Sequence, residues 1–150
     1  MNPLRKTVAS LLASIIAFGA VALAGCTTNE SIALDMADAR VAIDRGDIVN
    51  AQSICDNLYS NHFDRLSARQ LASLSLMFME LSNINDNYSQ ADNVAAATRC
   101  YISAFEANAD SARSFCDSIQ GGYDAGRLTA LHQIVKSITT APDIADTDSV

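Results

Sequence analysis

The chain has 150 residues, with ten Lys and Arg against 17 Asp and Glu and a net charge of −7. Six glycines and two prolines are too few for a collagen-like or low-complexity chain, and 49% hydrophobic residues are too many for wholesale disorder. The acid excess argues against nucleic-acid binding, which needs basic residues to displace counterions from phosphate, and the length suits one domain with a real core.

The first predicted segment runs from Met1 to Gly25. Met1 to Lys6 carries Arg5 and Lys6 and no acid. Thr7 to Ala22 is an apolar run holding Leu11, Leu12, Ile15, Ile16, Phe18 and Val21, and Leu23, Ala24, Gly25 and Cys26 follow it. A basic start, a short apolar core and small residues before a cut define a secretory signal. The run falls short of the roughly 20 residues that span a bilayer comfortably.

The Leu23-Ala24-Gly25-Cys26 tetrad, placed directly behind that apolar core, resembles the lipobox of bacterial lipoproteins. The resemblance implies that residues 1–25 are a cleaved signal peptide and that the Cys26 thiol takes a diacylglyceryl group. It implies anchoring through several acyl chains, since one chain alone binds marginally. In enterobacterial lipoproteins an Asp after the cysteine retains the protein in the inner membrane. Thr27 stands there, so the resemblance implies the outer membrane of a Gram-negative envelope. Thr27, Thr28, Asn29 and Glu30 offer a single acid, which does not fit the acidic run that some phyla use for surface export. Without Arg5 and Lys6, eight basic residues face 17 acidic ones, a net −9 that disfavours flat adsorption on anionic lipid. Residues 26–30 are expected to be a short lipid-anchored tether.

From residue 31 to 140 the pattern is helix after helix, an all-α domain of antiparallel hairpins. Ile32, Met36, Ala39 and Ile43 share one helical face. Gly46 ends that helix and Asp47 caps the next, which carries Ile48, Ala51, Cys55 and Leu58. Asn57 to Asp64 reads as a polar-flanked loop. Ser67 to Gln70 fits a capping box ahead of Leu71, Leu74, Phe78 and Leu81, and Asn83 to Asn87 is a turn cluster. A long helix from about Ser89 carries Val94, Ala97, Tyr101, Ala104 and Phe105. Asp110 is expected to cap a shorter helix with Ala112, Phe115, Cys116 and Ile119, which Gly121 and Gly122 break. Leu128, Leu131, Val135 and Ile138 mark the last of six helices, and Pro142 stops it. The acidic tail, residues 141–150, is expected to be disordered.

Arg45-Gly46-Asp47 with Ala51, Cys55 and Leu58 resembles the turn and second helix of a tetratricopeptide repeat, and Ala97, Tyr101, Ala104 and Ala109 resemble that second helix again. The resemblance covers two hairpins within residues 31–120. The 46 positions from Ala51 to Ala97 differ from the family's 34, and the aromatic-led first helix is missing from the first unit. The expected body is therefore a degenerate tetratricopeptide-like stack or a small helical bundle.

Chemistry-bearing groups are sparse. Cys100 and Cys116 bridge if two successive helices meet there; alternatively Cys55, Cys100 and Cys116 are all reduced core residues. No CxxC, HExxH, GxSxG, P-loop or GxGxxG occurs, so neither a metal site nor a cofactor is expected. His62 lies in a polar loop and His132 beside an apolar stripe, each without a paired nucleophile motif. The paired acids Asp35 and Asp38, and Asp44 and Asp47, read as solvated faces. Gly121 to Gly126 follows no strand and reads as a helix break. Phe78, Phe105 and Phe115 are expected in the core; Tyr59, Tyr88 and Tyr123, near helix ends, are the candidate partner contacts.

These readings give a non-enzymatic helical adaptor, tethered to the membrane through Cys26 and contacting another envelope protein or peptide but no nucleic acid. The alternative is a small-ligand or lipid-binding lipoprotein with a cavity lined by Leu74, Phe78, Tyr101 and Phe105. The lipobox predicts that Cys26→Ala stays an uncleaved precursor and takes up no radiolabelled palmitate; label on that variant would move the anchor to another residue.

Overall fold

The structure is a computed structural model that describes residues 28–84 and 89–140. The signal segment with Leu23, Ala24, Gly25 and Cys26, the contact candidate Tyr88 and the tail 141–150 lie outside the described residues, as does most of the expected turn 83–87. The described chain is all-helical, with five helices, one 3-10 turn and no strand.

Helix α1 covers residues 28–44. Residues 28–30, the described part of the segment expected as a tether, are helical. Its face of Ile32, Met36, Ala39, Ala42 and Ile43 is buried. It ends in a Schellman motif, in which the Gly46 N–H donates to Ile43 O at 2.9 Å and the Asp47 N–H to Ala42 O at 2.9 Å. Gly46 takes the left-handed φ of 74° that this motif requires. Asp47 then caps α2, Ile48–Asn61, by accepting the Asn50 N–H at 3.4 Å.

Helix α2 runs to Asn61, five residues into the stretch expected as a loop. Leu58, with no exposed surface, holds those last turns against the core, and an Asn61 to Asn57 amide bond of 2.8 Å spans one turn on the outer side. A 3-10 turn, Phe63–Arg65, leads to the expected capping box. The Ser67 N–H donates to Gln70 Oε1 at 2.9 Å, and the Gln70 N–H donates to Ser67 Oγ at 3.3 Å.

Helix α3, Ala68–Ile84, is buried at 11 of its 17 positions. Its two buried serines satisfy their own hydroxyls: Ser75 donates to Ala72 O and Ser82 to Met79 O, each at 2.7 Å. Helix α4, Ser89–Asp117, breaks at Asn108, whose φ of −163° and ψ of 97° are extended. The Asn108 side chain accepts the Ser111 N–H at 2.9 Å, so Asn108 caps the second arm. Asp110, the expected cap, instead pairs with Arg113 at 3.4 Å. The break turns one continuous helical assignment into the two helices the pattern predicts. Helix α5, Gly122–Thr140, follows Gly121 and Gly122 at φ of 99° and 74°.

Helices two apart in the chain lie side by side. Arg40 of α1 meets Glu80 of α3; Gln52 and Tyr59 of α2 meet Asn93 and Arg99 of α4. The partners are offset by 40, 41 and 40 residues, so α2 and α4 run parallel and the α3–α4 hairpin repeats the α1–α2 hairpin beside it. Ala51, Cys55, Ala97 and Cys100 are small and fully buried, and Cys55 and Cys100 lie near each other between α2 and α4. The second arm of α4 and α5 then cover α3 from outside. Arg69 lies over the Phe115 ring at 5.5 Å, and Arg127 of α5 meets Glu80 at 3.2 Å. Only Leu131 of α5 is fully buried.

This layering predicts two different costs. Phe78→Ala, at 1% exposure, should lose about 3–5 kcal/mol of stability. Ile138→Ala, at 57% exposure, should lose less than about 0.5 kcal/mol. Urea unfolding of both variants checks this, and similar midpoints would contradict the assignment of α3 as the centre.

Candidate functional site

An open apolar groove of about 990 Å³ lies between α4 and α5. Val94, Thr98 and Ile102 line one wall at i, i+4 and i+8, adjoining the α4 stripe that faces the core. Ile134 and Ile138 line the other wall from α5. Thr98 spends its hydroxyl on Val94 O at 2.7 Å, so it brings no free donor. Arg99 and Glu106 stand at the groove edges. A neighbouring recess of about 460 Å³ is lined by Tyr101, Phe105, His132 and Val135.

The recess holds a polar pair. The Tyr101 hydroxyl lies 2.6 Å from His132 Nε2. Burial pushes the Tyr101 phenol up to about 12. Cys116 is also raised, by burial first and then by the Asp117 charge. His132 itself is exposed, so its bond to Tyr101 ties α5 to α4 at the edge of the recess.

Cys55, Cys100 and Cys116 are free and buried. The possible Cys100–Cys116 bridge is therefore not formed, and the three thiols are the reduced core residues of the second reading. Burial pushes Cys55 and Cys100 up to about 12 each. His62 caps the 3-10 turn and leaves its Nδ1 buried without a partner. Among the described residues no group of three His, Cys, Asp or Glu side chains is placed to hold a metal ion.

Of the contact candidates, Tyr59 and Tyr123 do not line the groove. Tyr59 is half-buried, edge-on to Phe63 at 5.4 Å and to Phe78 at 5.8 Å. Arg99 lies over the Tyr59 ring and donates to its hydroxyl at 3.3 Å. Tyr123 is 87% exposed, with Arg127 over its ring at 5.9 Å. The expected cavity is split as well. Leu74 and Phe78 are sealed in the core, and only Tyr101 and Phe105 reach the recess. Ile102 and Ile134 were missed because their stripe sits beside the core stripe, and one sequence cannot say which of two adjacent apolar stripes is covered.

Compared with known proteins, the chain matches no family model, no curated protein and no solved structure.

The thiols give a test. Cys55 and Cys100 should be inert to a disulfide reagent in the native protein and react on unfolding. Because their folded values are raised, they favour unfolding once the unfolded thiols ionise. Their contribution is fully present below about pH 9 and is lost as pH rises toward 12. A melting temperature flat across that window would contradict their burial.

Proposed function

We propose that the chain is a lipid-anchored envelope lipoprotein whose helical body serves as a non-enzymatic adaptor for another envelope protein or peptide. The anchor is Cys26, behind the Leu23-Ala24-Gly25 cleavage motif, and Thr27 directs the protein to the outer membrane. The body resembles a degenerate tetratricopeptide stack. Side-by-side hairpins support this reading, although the offset of 40 to 41 residues departs from the family's 34.

The observation that carries the adaptor role is the open α4–α5 groove. The core beneath it is closed, yet Ile138 keeps 57% of its surface exposed in the groove wall. The groove follows α4 from Gln90 to Glu106, about 24 Å at the helical rise. That is long enough for four turns of an amphipathic partner helix laid along it. The adjoining recess of about 460 Å³ favours a second reading, a small apolar ligand or lipid held against Tyr101 and Phe105.

A photo-crosslinking residue at Ile138 in intact cells should give one discrete adduct, and Ile102→Asp should abolish it without lowering the melting temperature. The same probe at Val49, 85% exposed near the Gly46 turn, should give none. Equal labelling from both positions would remove the adaptor reading. A small-molecule adduct in native mass spectrometry, without a protein adduct, would select the second reading.

A further inference from the structure

We propose that helix α5 is a hinged strap, which lifts off α3 and α4 as one unit about Gly121 and Gly122 while α1 to α4 stay folded. The hold on α5 is narrow. Leu131 is its one fully buried side chain, whereas α3 is buried at 11 of its 17 positions. Leu128, Ala130, Ile134 and Val135 pack on the core only in part. Two polar contacts add to this hold. Arg127 meets Glu80 of α3 at 3.2 Å, and His132 Nε2 lies 2.6 Å from the Tyr101 hydroxyl of α4.

Lifting α5 strands no charge. Glu80 keeps Arg40 of α1 at 3.1 Å, and Arg127 keeps Asp124 of its own helix at 2.7 Å. Each side of the broken pair thus retains a partner, and the large cost of leaving one buried charge alone does not arise. The docked state also leaves Arg127 Nε buried without a hydrogen-bond partner, a donor that water satisfies once the helix lifts. The connection is free to turn. Gly121 and Gly122 sit at φ of 99° and 74°, both are exposed, and a Cβ at either would meet nothing within 4 Å. No neighbour holds the backbone there, and glycine reaches other φ values without penalty. The second arm of α4 lacks this freedom: Ala112 is fully buried and Phe115 lies under the Arg69 guanidinium. The moving body therefore begins at the glycines. Lifting it removes the Ile134 and Ile138 wall of the groove. Control of docking by the strap rests on the docking reading proposed above; the hinge itself does not.

Off the core, α5 is an isolated helix of 19 residues, marginal in water, so its amides exchange whenever it lifts. Hydrogen exchange of the unaltered full chain should show the amides of residues 126–140 exchanging together. They should share one rate, depend weakly on urea and exchange well before those of α3. Gly121→Ala with Gly122→Ala penalises the left-handed backbone of the docked state alone. It should speed α5 exchange about a hundredfold, about tenfold for each residue, and leave α3 unchanged. Arg127→Met should speed α5 about tenfold, again without moving α3. Exchange of α5 as slow as that of α3, or graded inward from Thr140 instead of uniform, overturns the hinge. A glycine variant that speeds α3 as much as α5 overturns it too. The unaltered protein decides the first two outcomes even if a variant fails to fold. Uniform early exchange of α5 together with no crosslink from Ile138 removes the docking reading and keeps the strap.

Discussion

Helix α3 carries more apolar surface than one neighbour can cover, and the rest of the fold is arranged around that surplus. Leu71, Leu74, Phe78 and Leu81 form the stripe any amphipathic helix has, but Ala72, Leu76, Met77 and Met79 continue it around the circumference, all at 6% exposure or less. A helix apolar on nearly every side must be enclosed. The two hairpins enclose it from within, and the second arm of α4 together with α5 encloses it from outside.

The enclosure leaves one charge on the middle of α3, and its handling shows how the layers are pinned. Glu80, with 15% of its side chain exposed, accepts from Arg40 of α1 at 3.1 Å and from Arg127 of α5 at 3.2 Å. Arg40 and Arg127 are backed in turn by Asp44 and Asp124. One carboxylate thus ties both outer helices to the central one, where an unpaired charge would be costly to bury. The Gln52 and Asn93 amides, each donating to the other, do the same between α2 and α4 without charge.

Helix α5 is the weakest member of this arrangement. It contributes Leu131 to the core, Arg127 to Glu80 and His132 to Tyr101, and little else is fully enclosed. Leu128, Ala130, Ile134 and Val135 pack against the core but stay only partly buried, and Ile138 is exposed. The groove follows from this incomplete seal: Val94, Ile102, Ile134 and Ile138 line it, with Arg99 and Glu106 beside them.

Local chemistry made the turns legible in the sequence. Gly46 and Asp47, the Ser67–Gln70 box and the Gly121–Gly122 break each depend on a few neighbouring residues, so the helix count and the all-α class could be read from the chain. The lipobox resemblance is local in the same way. The register was not legible. Whether Val94 and Ile138 are core or groove, and whether Cys100 faces Cys116 or the α2 interface, depends on which helices become neighbours. Tyr59 sits near a helix end, and only the folded chain shows that the 3-10 turn brings Phe63 and Arg99 onto its ring. Asp110 lost its capping role to Asn108 because the chain reverses two residues earlier than its caps suggest. Short-range hydrogen bonds decided where helices begin and stop. The covering of α3 decided which apolar stripes were left open, because burial is a property of neighbours and not of the helix that carries the stripe.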